Sequence, residues 1–365
     1  MGNPHLELHF DVNKTVLVDD KVQGIDPETA CNQILYWSSW GTVDGDVWRW
    51  DGRAPTVDRY GPGTTLFGDF VDARPELDKR ALKNGFTSPG YPGERLRVHY
   101  EMMLRALALS PADKAALEGV AWAEEVGLHR GVVRLLPSFF ALLQWLSDER
   151  QDFALVFRTF GADLPEVAAE LNAFCRGDHP SYPSARFDGT TAAPDLRLDL
   201  NNPERFGSMH RGGEAGTKGE PLCVALGVLD APRGRDQPPY QNPLAFYAKR
   251  AGNLLDSRRA FHAHIRGGGT FAFRDDYSGW ARAGFEGPAG KPMCVDTHDT
   301  QNVRVFFDDN VREDAANIVD LRDATSGDAI AFEDAIGRCL VRVDPYRAVT
   351  DERYFIDALS HCLRS

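Results

Sequence analysis

The sequence predicts an α/β protein whose parallel sheet is covered by helices on both faces and extended by two large insertions. Short apolar segments alternate with longer amphipathic ones: residues 134–150 have helical spacing, and the apolar run 153–157 follows almost directly. A strand that is apolar on both faces is typical of a parallel sheet buried between helices. The predicted core is therefore Rossmann-like.

The first strand of this core is predicted at residues 6–10 and ends at Asp11. Residues 42–93 are rich in Gly, Pro and aromatic residues, and two helical patterns follow them. We therefore assign residues 36–130 to a first, partly helical insertion. The chain then returns to the core with a helix, the strand at 153–157 and a further helix.

A second insertion is predicted at residues 177–262, because most of this segment is rich in Pro, Gly and polar residues. A loop of that length would be unusual inside a compact core, so it is interpreted as a loop-rich cap. A helix is predicted at residues 311–319. Three strand candidates lie in the last part of the chain: residues 262–265, 270–273 and 303–307. The predicted core combines three segments: residues 1–35, 131–176 and 263–365.

Composition limits the possible partners. The 365 residues include 42% hydrophobic and 26% charged residues, as in ordinary globular proteins. Against 41 Lys and Arg stand 54 Asp and Glu, and the net charge of −13 argues against binding to nucleic acid or anionic membranes. No apolar stretch is long enough to span a bilayer, and the six scattered cysteines form no CxxC pair. We expect buried thiols and a cytoplasmic location.

Polar residues follow three of the predicted strands, at Asp11, at Arg158 and Thr159, and at Asp308 and Asp309. The carboxyl ends of parallel strands meet at one edge of a sheet, which is where such folds bind ligands. Carboxylates brought together there require a cation, and hard oxygen ligands favour Mg²⁺. The sequence therefore predicts a magnesium site at this edge.

Four short motifs, taken in order, resemble those of the haloacid dehalogenase superfamily of aspartate-nucleophile phosphotransferases. Residues 10–15 (FDVNKT) are similar to the D-x-D-x-T that follows a strand in that family. Thr159 closes a second strand, Lys291 lies in a GKP segment, and the pair Asp308-Asp309 closes a third strand. The resemblance covers about half of the chain, and the two insertions would correspond to caps.

The resemblance implies an aspartyl-phosphate mechanism. Asp11 would be the nucleophile, and Mg²⁺ would bind Asp11, the backbone carbonyl of Asn13, and Asp308 or Asp309. Thr159 and a lysine would hold the transferring oxygens. That lysine is best matched by Lys291, with Lys249 as the alternative.

Asn13 departs from the family pattern, which has a second aspartate as general acid and base at this position. An amide cannot protonate a leaving group or activate water, although its backbone carbonyl can still bind a metal. Two hypotheses follow. The first is a Mg²⁺-dependent phosphohydrolase or phosphotransferase acting on a small phosphorylated metabolite. The second is a catalytically degenerate relative that binds a phosphorylated ligand or a protein partner. The sequence indicates neither the substrate nor the oligomeric state.

Overall fold

The computed structural model describes residues 4–20, 23–149, 151–211, 222–229, 246–249, 252–313 and 317–364. Its central sheet is mostly parallel and is accompanied by helices, so the predicted α/β class is confirmed. Among the described residues, no helix is both long and apolar enough to cross a membrane. All six cysteines are buried and form no disulfide, as predicted.

The strands of the described segments, in chain order, are β1 (His5–Asp11), β2 (Trp40–Asp44), β3 (Val47–Trp50), β4 (Thr65–Leu66), β5 (Phe153–Thr159), β6 (Phe206–Arg211), β7 (Leu222–Leu226), β8 (Asn253–Leu255), β9 (Gly269–Arg274), β10 (Lys291–Val295), β11 (Asn302–Asp308), β12 (Val319–Asp323) and β13 (Leu340–Arg342).

The α-helices of the same segments are α1 (Pro27–Tyr36), α2 (Phe67–Asp72), α3 (Lys79–Asn84), α4 (Arg97–Leu107), α5 (Pro111–Ala116), α6 (Ala121–Val126), α7 (Pro137–Asp148), α8 (Leu164–Arg176), α9 (Arg258–Ile265), α10 (Tyr277–Arg282), α11 (Phe332–Ala335), α12 (Pro345–Thr350) and α13 (Tyr354–Cys362). Short 3₁₀ helices lie at Glu94–Leu96, Leu128–Arg130, Pro203–Arg205 and Gly287–Ala289.

The main sheet has eight strands in the order β13-β11-β1-β5-β9-β6-β7-β8. All neighbours are parallel except the β6–β7 and β7–β8 pairs. The predicted strands β1, β5, β9 and β11 are adjacent at its centre, and β5 is buried along its whole length. Two smaller sheets are formed by β10 with β12 and by β3-β2-β4.

The chain divides into two compact units. The first takes in residues 1–12, 143–343 and 357–365, and it contains the main sheet together with β10 and β12. The second takes in residues 13–142 and 344–356, and it contains β2–β4, α1–α6 and α12. The predicted first insertion, 36–130, falls inside the second unit.

The structure differs from the predicted boundaries in the segment 177–262. Three strands of this segment, β6, β7 and β8, extend the main sheet and belong to the first unit. The sequence showed only an isolated apolar run between polar loops. Strand β6 forms its backbone hydrogen bonds with β9, and this partner is remote in the sequence, so the local pattern could not indicate the pairing. The second unit also takes in three segments that were predicted as core: residues 13–35, 131–142 and 344–356.

Two predicted elements are corrected. Residues 262–265, predicted as a strand, lie in helix α9, whose first turn is capped by the Ser257 hydroxyl accepting from the Ala260 amide. A short apolar run fits either element, and here the buried positions Phe261 and Ile265 follow helical spacing. The helix predicted at residues 311–319 is not present in its described part, and β12 begins at its end.

One face of the central strands is covered by α9 and by the small β10–β12 sheet. Phe261 and Ile265 of α9 pack with Val156, Phe271 and Phe273 of the main sheet. Further along the same face, Phe306 of β11 packs with residues of β10 and β12. Polar groups on this face are thus shut off from solvent.

Candidate functional site

Strand β1 places Asp11 at the carboxyl end of the main sheet. It pairs in parallel with β11, and the register runs from His5 opposite Asn302 to Phe10 opposite Phe307. The next pair in this register is Asp11 and Asp308, so parallel pairing alone brings two carboxylates together. Oxygens of Asp11, Asp308 and Asp309 lie within 4.8 Å of one another.

Lys291, the first residue of β10, lies between two of these carboxylates. Its Nζ donates to Asp11 Oδ1 and, at 2.7 Å, to Asp308 Oδ2. The lysine side chain is fully buried. Lys249, the alternative considered from the sequence, is exposed. The structure therefore places Lys291 with the acidic residues, and we call Asp11, Lys291, Asp308 and Asp309 the acidic cluster.

The electrostatics of the acidic cluster favour an additional cation. Burial, together with the neighbouring carboxylates of Asp308 and Asp309, raises the pKa of Asp11 well above its ordinary value, although Lys291 opposes this shift. Burial would lower the pKa of Lys291, but Asp11, Asp308 and Asp275 raise it above its ordinary value. Asp11, Asp308 and Asp309 repel one another at these distances, and a divalent ion bound among them would reduce that repulsion.

The donor set of the acidic cluster fits Mg²⁺, a hard cation that takes oxygen ligands and is held by few carboxylates. Asn310 orders two of these groups: its backbone amide donates to Asp308 Oδ1 at 2.8 Å, and its side chain donates to Asp309 Oδ1 at 3.0 Å. Asp11, Asp308 and Asp309 are thus the residues that could hold the metal.

Thr159 and Asn13 are less closely tied to this cluster. Thr159 ends β5, the other neighbour of β1, and its buried hydroxyl oxygen accepts from the Gly161 amide at 2.8 Å. It shares the sheet edge with Asp11. Asn13 belongs to the second compact unit, where its side-chain amide donates to the Asp19 carbonyl at 3.3 Å. Metal binding by the Asn13 backbone carbonyl stays a prediction.

A second set of buried polar side chains lies on the same face of β1, and it was not predicted from the sequence. Glu7 accepts from His9 Nε2 at 2.8 Å, from His262 Nδ1, and from Arg304 Nε at 3.0 Å. We call Glu7, His9, His262 and Arg304 the histidine cluster. The available signal was the alternation of Glu7, His9 and Asp11 in an otherwise apolar strand, because side chains two residues apart share a face.

Hydrogen bonds fix the tautomers of both histidines. The Cys294 amide donates to His262 Nε2 at 3.2 Å, so the His262 proton is on Nδ1 and faces Glu7. Arg158 Nη1 approaches His9 Nδ1 at 3.4 Å, so the His9 proton is on Nε2. Burial lowers the pKa of His9 to about 4 and also lowers that of His262. Both rings are neutral at pH 7.

The histidine cluster therefore needs no metal, although its geometry would admit one. The imidazole nitrogens are engaged by protein groups, and Arg304 balances the charge of Glu7. Burial alone would raise the pKa of Glu7, but its contacts with His262 and His9 hold that pKa well below its ordinary value. A satisfied network of this kind fixes the geometry of the elements that it joins.

Arg158 connects the two clusters. Its fully buried guanidinium donates to both carboxylate oxygens of Asp275, at 3.0 Å from Nε to Oδ2. Both terminal nitrogens also approach the Pro292 carbonyl at 3.3 Å, directly after Lys291. Paired arginine–carboxylate contacts are directional, so this arrangement holds the start of β10, and with it Lys291, against the sheet.

Comparisons with protein-family models, with curated proteins and with solved structures found no match to this chain. Its function is therefore inferred from the geometry of the site.

Proposed function

We propose that this protein is a Mg²⁺-dependent phosphohydrolase or phosphotransferase of the haloacid dehalogenase type, acting on a small phosphorylated metabolite. The observation that carries the proposal is the position of Lys291 between Asp11 and Asp308, with Asp309 beside them. A nucleophilic carboxylate, a cation for phosphoryl oxygens and acidic metal ligands are the groups that phosphoryl transfer through an aspartate requires.

In this mechanism a carboxylate oxygen of Asp11 forms a bond to phosphorus while the bond from phosphorus to the leaving-group oxygen breaks. The leaving oxygen takes up a proton unless it is stable as an anion. Water then attacks the aspartyl phosphate at phosphorus, which releases inorganic phosphate and restores the Asp11 carboxylate. Lys291 and Thr159 would hold the transferring oxygens during both steps.

A bound Mg²⁺ would neutralise the crowded carboxylates and the charge that develops on the phosphoryl oxygens. The raised pKa of Asp11 supports this dependence on metal, because the nucleophile must be ionised. Asp308 and Asp309 would hold the ion and would thereby favour the ionised form of Asp11.

The second candidate function is binding of a phosphorylated ligand or a protein partner without turnover, and Asn13 is the observation that favours it. General acid–base catalysis is worth roughly 10²–10⁴-fold, and an amide at this position cannot supply it. The side-chain amide of Asn13 is instead engaged with the Asp19 carbonyl. Metal and phosphate binding by the acidic cluster would be retained in this case.

The deciding experiment measures turnover of an aryl phosphate with Mg²⁺ and searches for phosphorylated Asp11 by mass spectrometry. An aryl leaving group departs without protonation, so we expect a phosphoenzyme in the wild type. Asn13→Asp should accelerate its hydrolysis by up to roughly 10²–10⁴-fold. Asp11→Asn should abolish phosphorylation, whereas Asp195→Asn, at an exposed carboxylate of the same unit, should not.

Two results would contradict the enzyme proposal. If neither the wild type nor Asn13→Asp yields turnover or a phosphoenzyme, the binding function is favoured. If Asp11→Asn leaves turnover unchanged, the nucleophile has been wrongly assigned.

A further inference from the structure

Four aromatic side chains form a continuous patch in the first unit: Phe160, Tyr277, Trp280 and Phe285. The rings of Phe160 and Trp280 are stacked, with centroids 5.2 Å apart and an interplanar angle of 12°. Tyr277 meets Phe160 edge-on at 5.7 Å, and Phe285 meets Trp280 edge-on at 5.1 Å. We call these residues the aromatic patch.

The aromatic patch lies beside the acidic cluster. Phe160 directly follows Thr159 at the end of β5. The centroid of its ring lies 5.2 Å from Lys291 Nζ, the ammonium that contacts Asp11 and Asp308. A group attached to a phosphate at Asp11 would therefore lie close to Phe160, which connects to the other rings of the aromatic patch.

The outer part of the aromatic patch is open to solvent. Tyr277 is 50% exposed and Phe285 42% exposed, and the only other aromatic residue of the described segments with comparable exposure is Tyr60, at 38%. Phe285 also has a φ of 64°, a backbone conformation that is costly for a residue with a bulky side chain. Phe160 and Trp280, in contrast, pack on the core around β12.

We propose that the aromatic patch binds a planar aromatic ring of the substrate, which makes phosphate esters with an aromatic or heteroaromatic leaving group the preferred substrate class. The inference rests on the proposed function, since the phosphate is held by the acidic cluster. Exposed rings that are fixed by a stacked inner pair offer large contact area at little cost in conformational entropy. The occupant is a ring because two aromatic rings attract each other more strongly than the burial of their apolar area alone would give.

The test compares two phosphonates that differ by one ring. Binding of phenylphosphonate and methylphosphonate is measured by calorimetry in Mg²⁺. The wild type should bind phenylphosphonate more tightly, and Tyr277→Ala should weaken that binding by about 2- to 10-fold, the range for one aromatic pair. Methylphosphonate binding should be unchanged. Tyr277→Phe should preserve the preference, as should Tyr60→Ala, an exposed tyrosine of the second unit.

Turnover of acetyl phosphate, which carries no ring, separates failure of this inference from failure of the proposed function. Acetyl phosphate turnover together with equal affinity for the two phosphonates would overturn the aromatic patch as a subsite and leave the phosphotransfer proposal intact. A ring preference that survives both Tyr277→Ala and Trp280→Leu would also overturn it. If acetyl phosphate is not turned over and neither phosphonate binds, the proposed function fails and the subsite fails with it.

Discussion

The acidic cluster and the histidine cluster lie on the same face of β1, only a few residues apart, and all their members are buried except Asp309, which is half-buried. Glu7, His9 and Asp11 occupy alternate positions of the strand, so their side chains point to the same face of the sheet. Their surroundings differ in charge. Glu7 is paired with Arg304 and accepts hydrogen bonds from two neutral imidazoles. In the acidic cluster, by contrast, Asp11 and Asp308 both accept from the same lysine, and the carboxylate of Asp309 lies beside them.

On the proposed function, this difference separates a structural network from a reactive one. Buried charge is tolerated when it is paired and hydrogen-bonded, as in the histidine cluster. An excess of negative charge at a sheet edge is costly unless a ligand compensates it, and functional sites accept such costs. On the proposed function, the acidic cluster binds a cation and the histidine cluster does not.

The largest expected effect comes from removing the positive group of each cluster. Breaking a buried ion pair costs about 3–5 kcal/mol, so Lys291→Met and Arg304→Met should both lower the free energy of unfolding by amounts of this order. Mg²⁺ should restore much of the stability of Lys291→Met, because a dication can replace the lost ammonium. It should restore little in Arg304→Met.

Chemical denaturation with and without Mg²⁺ measures both effects. An equal response of the two variants to Mg²⁺ would show that the clusters do not differ in the way proposed.

In the wild type, Mg²⁺ should stabilise the fold through the acidic cluster alone. A ligand at a hundred times its dissociation constant stabilises by about 2.7 kcal/mol. Asp308→Asn combined with Asp309→Asn should remove most of this gain, because amides are poorer ligands for a hard dication than carboxylates. Glu7→Gln should be less stable at the outset but should keep its response to Mg²⁺.

Isothermal calorimetry of Mg²⁺ binding is the direct measurement. Unchanged affinity in the double variant would exclude Asp308 and Asp309 as ligands.

The histidine cluster should show its own pH dependence. The pKa of His262 is lowered from the ordinary 6.5 by burial, so the unfolded chain binds a proton more readily than the folded one. The corresponding stability is present above about pH 6.5 and is lost as the pH falls. His262→Gln cannot titrate and should reduce the slope of stability against pH in this range by up to about 1.4 kcal/mol per pH unit.

Urea denaturation between pH 7 and pH 4.5 measures this slope, and His264→Gln on the same helix is the control, since His264 is more exposed than His262. Identical slopes for wild type and His262→Gln would contradict a neutral buried imidazole.

The last expected effect is on catalysis alone and concerns Thr159, whose oxygen already accepts from Gly161 and whose proton can be donated to a phosphoryl oxygen. Losing a hydrogen bond to a charged group costs about 1.5–3 kcal/mol, so Thr159→Val should lower kcat/KM by tenfold or more. Thr159→Ser should retain most of the activity. Thr270→Val removes another buried hydroxyl, which donates to the Leu196 carbonyl, and should affect stability rather than kcat/KM.

Steady-state kinetics with an aryl phosphate decides between them. Equal losses of kcat/KM in Thr159→Val and Thr270→Val would indicate a purely structural role for Thr159.

Much of the sheet could be predicted because its central strands are defined locally. The apolar run at 153–157 and the polar residues after 6–10 and 303–307 correspond to β5, β1 and β11 with their ends. In contrast, β6, β7 and β8 were assigned to an insertion. These strands belong to the sheet because β6 pairs with β9. The hydrophobic periodicity of a segment does not indicate which strand it will pair with.

The candidate site divides in the same way. The sequence indicated Asp11, Thr159, Asp308 and Asp309, because each follows a strand and parallel strands end at one edge. Lys291 was proposed from a family resemblance, with Lys249 left open. His262 was placed on a strand rather than a helix, and the roles of Arg158 and Arg304 were not seen.

The sequence by itself determined the α/β class, the strands that carry the carboxylates and the edge at which those carboxylates meet. Periodicity and strand direction are properties of a few neighbouring residues, so they can be read locally. Only the tertiary structure decided that Lys291 contacts Asp11, 280 positions away, and that Arg304 neutralises Glu7, 297 positions away. The charge balance of a buried cluster is the sum over all residues that fold against it, and most of these residues are remote from one another in the sequence.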